Sequence, residues 1–243
     1  MKTKNPKTIF ITGGATGIGL ATAQLLLSQG YNVVIFSLTK PDPKDFEILR
    51  ALPNALVLQG SITNQKQIQS AIQKTIKKFG SLNVLINNAG ISQKKLFTDS
   101  SPQEWDTLIQ VNIKGTLTVT YEALRFLKKG GLASPKHGEG GLIINISSGS
   151  ALHPVSHLSL YSLTKAAILN FTQTLDAELK PHGIRAVTIT PGSTQTALFE
   201  KSSPGKTALY KPQDIAAVIA NVITGKQKPD KYRVVNPFRH LYK

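Results

Sequence analysis

The chain has 243 residues and contains no cysteine. This absence excludes a disulfide framework, a thiolate metal site and a cysteine nucleophile, and no metal site is predicted. Long apolar runs are also lacking, because none approaches the roughly 20 residues of a membrane span. The polar, basic residues 1–7 lead directly into residues 8–11 without the apolar core of a signal peptide. We therefore expect a cytoplasmic protein.

Acidic residues are scarce as well: 13 Asp and Glu stand against 29 Lys and Arg, so the net charge is +16. A charge of this sign favours anionic partners such as nucleotide phosphates, nucleic acid, an acidic carrier protein or a lipid surface. The basic residues are nevertheless spread along the chain and form neither a tail nor a single basic helix. A generally basic, solvated surface is the simpler interpretation, and a surface for an anionic partner is the alternative.

Short, continuous apolar runs rich in β-branched residues alternate with helical segments along the chain. The runs are residues 8–11, 33–36, 56–58, 84–86, 142–146, 187–189 and, more weakly, 232–235. Continuous runs indicate strands buried on both faces, and their alternation with helices is typical of a doubly wound α/β fold. We predict a Rossmann-type parallel sheet of about seven strands with helices on both faces. No internal repeat or dividing linker is visible, so residues 1–243 are predicted to form a single domain, with a surface loop over residues 130–141.

Capping signals place several helix boundaries. Thr63 is predicted to cap a helix that ends near Gly80. The capping box at residues 101–104 has proline at the first helical position and predicts one long helix toward Lys129. Another helix begins near Ser159.

A glycine-rich turn follows the first predicted strand. Residues 12–19 read Thr-Gly-Gly-Ala-Thr-Gly-Ile-Gly and lead into a helix. Glycine in this position lets the backbone approach a pyrophosphate, which then lies over the positive end of the helix. The end of the second strand lacks the carboxylate that usually bonds the ribose 2′-hydroxyl, and it offers Ser37, Thr39 and Lys40 instead. These donors favour NADP(H), although the usual arginine is absent too, so NAD(H) stays open.

A tyrosine and a lysine lie four residues apart on the helix after the fifth strand. This spacing puts Tyr161 and Lys165 on one helical face. A free tyrosine has a pKa of about 10, and a nearby ammonium is expected to lower it toward the range useful for proton transfer. Ser148 ends the fifth strand, where it can orient a substrate oxygen toward Tyr161. Taken singly, these residues are more typical of an amphipathic surface pair and of turn chemistry.

Together these elements resemble the short-chain dehydrogenase/reductase family, in particular its 3-oxoacyl-reductase-like members. The resemblance covers nearly the whole chain and includes six motifs in the family's order. The motifs are the glycine turn at residues 12–19, Asn87-Asn88-Ala89-Gly90, Asn112 within residues 111–115, Ser148, Tyr161 with Lys165, and Pro191-Gly192 followed by Thr196. Ser148 precedes Tyr161 by 13 positions, as in the family.

The resemblance implies an oxidoreductase that transfers a hydride between a nicotinamide cofactor and a carbonyl or secondary alcohol. Ser148 would polarise the carbonyl, and Tyr161 would protonate the developing alkoxide. Lys165 would lower the tyrosine pKa and bond the nicotinamide ribose, while Asn112 would hold a water that links Lys165 to solvent. The residues expected to bind the cofactor are Gly13, Ala15, Thr16, Gly17, Ile18, Gly19, Ser37, Thr39, Lys40, Ser61, Ile62, Asn88, Ala89, Gly90, Tyr161, Lys165, Pro191, Gly192, Thr194 and Thr196.

The chain departs from the family pattern beyond the second strand too. Ser61, followed by Ile62, stands where many members have an aspartate that bonds adenine. Residues 231–243 lack the Asp-Gly-Gly ending common among tetrameric members, which puts the usual tetramer in doubt. Helices beginning near Pro102 and Ser159 form the dimer face in related proteins, so a homodimer or homotetramer is expected.

The substrate is expected to lie under a short loop inserted at residues 193–211. Ser148, His153, Leu158 and Phe199 are the predicted substrate contacts. For His153 and for His157 in the same segment, packing is the simpler role, because Tyr161 already serves as the acid. A medium-sized carbonyl compound fits a short, partly apolar loop.

The basic surface is compatible with several anionic partners. An acidic acyl-carrier protein presenting a 3-oxoacyl chain would meet the basic residues Lys94, Lys95, Arg125, Lys128 and Lys129. The alternative function is a non-catalytic, dinucleotide-binding regulatory or nucleic-acid-binding protein, although no recognition helix or aromatic platform is visible. A membrane-surface protein is less favoured, since no strongly amphipathic basic helix is found.

Overall fold

A single parallel sheet forms the centre of the molecule. The computed structural model describes residues 6–131 and 140–237, and these include seven strands. The strands are β1 (Thr8–Thr12), β2 (Asn32–Ser37), β3 (Ala55–Gln59), β4 (Val84–Asn87), β5 (Leu142–Ile146), β6 (Arg185–Ile189) and β7 (Val234–Val235). All pairs are parallel, in the order β3-β2-β1-β4-β5-β6-β7. The order reverses between β1 and β4, which opens a crevice at the carboxyl ends of the strands. The predicted doubly wound sheet is confirmed.

Helices cover both faces of this sheet. The described helices are α1 (Gly17–Ser28), α2 (Pro43–Ala51), α3 (Gln65–Phe79), α4 (Pro102–Ile109), α5 (Thr116–Gly131), α6 (Ser159–Leu179), α7 (Ala197–Ser202) and α8 (Pro212–Ile223). On one face Leu26 of α1 and Ile219 of α8 join a fully buried cluster with the strands. On the other face α3, α5 and α6 contribute to a second buried cluster. The apolar strand residues that fill both clusters explain why the strand sequences are continuously apolar.

The predicted long helix from the capping box toward Lys129 is confirmed in its extent, but it contains a π-helical turn that was not predicted. The capping box of Ser101 and Glu104 does begin α4, but α4 ends at Ile109 and residues Gln110–Gly115 form a π-helical turn before α5. Asn112 in this turn is buried and pairs with Ile91, whose N–H it accepts at 2.8 Å and whose carbonyl it donates to at 2.9 Å. The wider turn therefore coincides with a side chain that binds the loop after β4.

Two smaller boundaries also differ from the predictions. Asn64, not Thr63, caps α3, and its side chain accepts from the Gln67 N–H at 3.1 Å. Strand β7 begins at Val234 because Arg233 has a positive φ of 60°. The predicted loop at residues 130–141 falls largely on residues 132–139, which lie outside the described residues. In the described part of the chain, no helix combines the length and apolar character required to cross a membrane.

Candidate active site

The crevice at the carboxyl edge of the sheet widens into a cavity of about 600 Å³. It extends from the turn after β1 to the segments that follow β4, β5 and β6. Twenty of the residues predicted from the sequence line it. They are Gly13, Thr16, Gly17, Ile18, Ser37, Ser61, Ile62, Asn88, Ala89, Gly90, Ser148, His153, Leu158, Tyr161, Lys165, Pro191, Gly192, Thr194, Thr196 and Phe199.

Five predicted residues do not line this cavity. Ala15 is buried, and Gly19 lies beneath the turn, where an added Cβ would collide with the Gly13 carbonyl. Thr39 and Lys40 lie beyond the cavity wall, and the Lys40 ammonium is 5.3 Å from the centre of the Phe46 ring. Asn112 is buried behind the wall. Of the three donors predicted to favour NADP(H), Ser37 therefore lines the cavity and Thr39 and Lys40 do not.

The glycine turn is held tightly against the segment after β4. The Asn88 amide donates to the carbonyls of Thr12 and Gly13, at 3.0 Å each, and the Thr12 hydroxyl accepts from the Ala89 N–H at 3.1 Å. Gly13 has a positive φ of 63°, and a Cβ there would come within 2.8 Å of the Ala89 Cα. The turn is thus a glycine-walled cradle at the start of α1, suited to a phosphate approached by the backbone.

Ser148, Tyr161 and Lys165 come together on the opposite side of the cavity. The Ser148 hydroxyl lies close enough to Tyr161 to act in the direction that lowers the tyrosine pKa. The Lys165 ammonium lies 5.7 Å from the centre of the Tyr161 ring and donates to the Ile146 carbonyl at 2.9 Å. The Ser147 hydroxyl donates to the Lys165 carbonyl at 2.7 Å, which fastens α6 to the end of β5. Two contacts from strand to helix thereby fix the lysine under the tyrosine.

Burial sets the charge states of these two groups. Burial raises the pKa of Tyr161 to about 12, although the hydrogen bond with Ser148 acts in the lowering direction. Burial lowers the pKa of Lys165 from 10.5 to about 8. We expected the Lys165 ammonium to lower the pKa of Tyr161, but in this structure that pKa is raised, because desolvation of the phenolate outweighs the contact that stabilises it.

Asn112 adjoins the lysine from behind. An ideal Cβ on Gly90 would lie 3.2 Å from the Asn112 amide oxygen and 3.3 Å from the Lys165 ammonium. The Asn112 amide also donates to the Thr164 hydroxyl at 3.0 Å. The asparagine side chain therefore joins the loop after β4 to the helix that carries the lysine.

The structure adds residues to the site that the sequence analysis did not place there. Ser150 donates to the Ser148 hydroxyl from both its backbone N–H, at 3.2 Å, and its own hydroxyl, at 3.1 Å. Leu38 and Thr63 line the end of the cavity near β2, and Lys94 lines the substrate end. Their position in the segments that follow strands β2, β3 and β4 is the signal that could have identified them.

The basic residues expected to bind a carrier protein are partly engaged within the chain. Lys95 forms a salt bridge of 3.0 Å with Glu104, and Arg125 lies 4.0 Å from Glu122 and stacks on Phe126. The side chains of Lys128 and Lys129 lie outside the described residues. Of the five basic residues, Lys94 is the one that lines the cavity, and none of the described salt bridges includes it.

Comparison with known proteins agrees with this geometry. The sequence profile of the short chain dehydrogenase family matches residues 7–207. The chain belongs to the short-chain dehydrogenase family. This short-chain dehydrogenase/reductase is 33% identical over 219 residues to an uncharacterised oxidoreductase of Staphylococcus epidermidis, covering 90% of this chain and 91% of the relative.

Solved structures resemble it over nearly the whole chain. One is the 3-ketoacyl-(acyl-carrier-protein) reductase from Brucella melitensis complexed with NADH, with 27% identity, a TM-score of 0.79 and coverage of 97% of this chain and 96% of that one. Another is a variant of ElxO with NADPH bound, with 27% identity, a TM-score of 0.81 and coverage of 96% and 97%. The shared fold identifies this chain as an oxidoreductase of the family.

Proposed function

We propose that the enzyme transfers a hydride between a nicotinamide dinucleotide and a carbonyl or secondary alcohol carbon, with Tyr161 as the general acid or base. The observation that carries this proposal is the convergence of Ser148, Tyr161 and Lys165 on the cavity that also contains the glycine turn. One cavity thus offers a phosphate cradle at one end and a proton donor at the other.

The residues present fit such a cofactor. Gly13 and Gly17 both have a positive φ, and a Cβ at either position would contact neighbouring atoms closely. Because these residues lack side chains, the backbone at the start of α1 is open to the phosphates. Pro191, Gly192 and Thr194 border the other end of the cavity, near Lys165. When bound, the nicotinamide supplies or accepts the hydride.

The chain's own residues handle the proton. Ser148 is held by Ser150, which donates to its hydroxyl, so the Ser148 hydroxyl can itself donate to a substrate oxygen placed between serine and tyrosine. Tyr161, kept protonated by its raised pKa, donates to the oxygen that becomes an alcohol during reduction. Lys165, with a pKa of about 8, would bond a ribose hydroxyl and return a proton to Tyr161, while Asn112 connects its helix to the loop after β4.

NADP(H) is the favoured cofactor in this proposal. Ser37 and Leu38 line the cavity where β2 ends, and among the described residues no carboxylate lines this cavity. A carboxylate there would repel a 2′-phosphate, whereas a serine hydroxyl can donate to it. The net charge of +16 also favours the more anionic nucleotide.

Ketones and 3-oxoacyl compounds are the favoured substrates. His153, Leu158 and Phe199 line the cavity on the side of Ser148, together with the apolar Val155 and Leu198. This wall suits a substrate with an apolar portion next to the carbonyl. An acyl chain delivered by an acidic carrier protein is one form that such a substrate takes, and it would approach past Lys94.

A homodimer formed through α5 and α6 completes the proposal. Leu117 and Tyr121 lie one turn apart on α5 and are 37% and 72% exposed, and Leu163 on α6 is 53% exposed. Exposed apolar side chains on neighbouring helices suit a second copy of the same surface.

The test is a fluorescence titration of NADPH and NADH with the wild type, Tyr161→Phe and the surface control Tyr232→Phe, followed by absorbance assays with ketones and 3-oxoacyl esters. We expect all three proteins to bind NADPH more tightly than NADH. Turnover should fall by about 10²–10⁴-fold only in Tyr161→Phe, because only that variant lacks the proton donor.

Failure of the wild type to bind either nucleotide would overturn the proposal. Binding of nucleic acid whose affinity falls steeply with salt concentration would then support the non-catalytic alternative.

A further inference from the structure

A second cavity of about 560 Å³ adjoins the substrate end of the first. The two cavities share Ile91, Ser92, Lys94 and Ser202 as lining residues. The second cavity continues between the start of α4 and the short helix α7. A substrate whose carbonyl lies at Ser148 and Tyr161 can therefore extend past Lys94 into it.

Two ammonium groups border this second cavity. Lys94 belongs to the loop after β4, and Lys201 belongs to α7. In the described ranges 6–131 and 140–237, neither ammonium has a carboxylate within salt-bridge distance. Both charges are therefore available to a ligand.

The carboxylate present in the cavity does not cancel these charges. Glu104 is the only acidic residue among the described residues that line either cavity. Its oxygens accept from the Lys95 ammonium at 3.0 and 3.1 Å, from the Ser101 N–H at 2.7 Å and from the Gln93 amide. Because Lys95 already balances Glu104, the cavity keeps the two positive charges of Lys94 and Lys201.

The loop that carries Lys94 is also fixed in place. The Lys95 N–H donates to the His157 carbonyl at 2.7 Å, while the side chains of Gln93 and Lys95 both bind Glu104 at the start of α4. Both neighbours of Lys94 in sequence are thus fastened, so its ammonium is presented on a held backbone. A backbone held in this way loses less freedom when the lysine binds a ligand than a mobile loop would.

We propose that Lys94 and Lys201 form an anion-binding subsite that selects carbonyl substrates carrying a carboxylate or phosphate remote from the reacting carbon. The apolar wall of the first cavity takes the chain between the two ends. The anion has two sources: the far end of a small substrate, or the phosphate in the arm that tethers an acyl group to a carrier. This inference rests on the proposed function, whose site it extends.

The first test measures kcat/KM for ketones of increasing chain length that end in a carboxylate, each compared with its methyl ester. The proteins are the wild type, Lys94→Gln/Lys201→Gln and the control Lys206→Gln, whose exposed lysine lines neither cavity. We expect the wild type and the control to prefer the acid by about tenfold at one chain length, from charge-assisted contacts. The double variant should lose this preference, because its kcat/KM for the acids falls to that for the esters, and salt should weaken the preference in the wild type.

A second arm distinguishes the two sources of the anion. It compares 3-oxoacyl thioesters of pantetheine and of phosphopantetheine in the same three proteins. A lysine-dependent preference for the phosphorylated thioester alone assigns the subsite to a carrier arm, and a preference for the keto acids alone assigns it to a small substrate. Equal use of charged and neutral members by the wild type, or a preference that survives in the double variant, overturns the inference.

Equilibrium binding separates failure of the inference from failure of the proposed function. Calorimetry with hexyl phosphate, hexanoate and 1-hexanol requires no turnover. If no carbonyl compound is reduced but the anions bind more tightly than the alcohol, and only when both lysines are present, the subsite stands and the proposed reaction fails. If the alcohol binds as well as the anions, the subsite fails whatever the activity.

Discussion

At the scale of single residues, Lys165 combines burial with a positive charge. Its side chain is only 6% exposed, and its ammonium donates to the Ile146 carbonyl. No carboxylate forms a salt bridge with it among the described residues. Burial without a counter-charge is why its pKa falls to about 8, and it means that the functional site costs stability.

Replacing Lys165 by methionine is expected to stabilise the fold at pH 7 by about 1–2 kcal/mol while abolishing turnover. Below pH 8 both the folded and the unfolded wild type carry the charge, so the penalty is fully present. Between pH 8 and 10.5 the folded state releases its proton first, so wild-type stability rises with pH and the advantage of the variant disappears. Urea denaturation across this pH range measures the effect.

The control for this prediction is Lys180→Met, at an exposed lysine just after α6. It should leave both stability and its pH dependence unchanged. A Lys165→Met variant that is less stable than the wild type at every pH would show that the hydrogen bond to Ile146 outweighs the burial of the charge.

The convergence of Ser148, Tyr161 and Lys165 on one cavity could be predicted from the sequence, but the pKa values of Tyr161 and Lys165 could not. The spacing of Tyr161 and Lys165 places them on one face of a helix, and Ser148 ends a strand at the same edge of the sheet. The raised pKa of Tyr161 depends on how the surrounding chain excludes water, which no local pattern records.

At the scale of elements, the turn between β1 and α1 depends on two separate properties of glycine. Gly13 has a positive φ and also faces the Ala89 backbone. The positive φ concerns only the turn itself. The close approach to Ala89 involves a segment about 75 residues away in sequence, which is also bound to the turn by the hydrogen bond from Asn88 to the Gly13 carbonyl. A substitution there should therefore disturb more than a turn.

Gly13→Ala is expected to reduce stability by about 2–4 kcal/mol and to weaken NADPH binding by at least about tenfold, since strain at positive φ adds to a backbone collision. Gly205→Ala is the matched control, because Gly205 has a φ of 69° with open space around it. The control should lose only about 1 kcal/mol and bind NADPH normally. Thermal unfolding and nucleotide titration of both variants give the comparison; equal effects would refute a role for the Ala89 contact.

Element positions were largely predictable, and the errors have physical causes. The strands and most helices follow from apolar runs and capping residues. The π-helical turn at Gln110–Gly115 was missed because the pairing of Asn112 with Ile91, which coincides with it, connects residues 21 positions apart. Helix α2 was not predicted, although Asp42 caps it and Pro43 is its first residue.

At the scale of the whole molecule, two buried clusters lie on opposite faces of one sheet, and the covering helices leave part of α5 and α6 in solvent. The exposed apolar residues there have no role in either cluster. The proposed homodimer would bury them, while the net charge of +16 requires the contact to outweigh repulsion between the two copies.

Tyr121→Lys is expected to weaken self-association by at least about tenfold, because it adds a charge at the centre of the exposed apolar face. Tyr232→Lys is the control, since Tyr232 is also exposed, at 58%, but lies next to β7. Light scattering coupled to gel filtration over a range of protein concentrations measures the association. A wild type that is monomeric throughout, or equal association by both variants, would contradict the proposed interface.

In the loop after β4, the residues that fix the backbone are different from the residue that faces the second cavity. Glu104, in the first turn of α4, binds the side chains of Gln93 and Lys95 and so fixes the loop. Lys94, which lies between them, has no part in this attachment and lines the second cavity. With the proposed subsite, an exchange at position 94 is therefore expected to change which substrates are accepted while the fold keeps its stability. Specificity would then change by a single mutation at this position, whereas mutation of Gln93, Lys95 or Glu104 would also loosen the loop that presents Lys94.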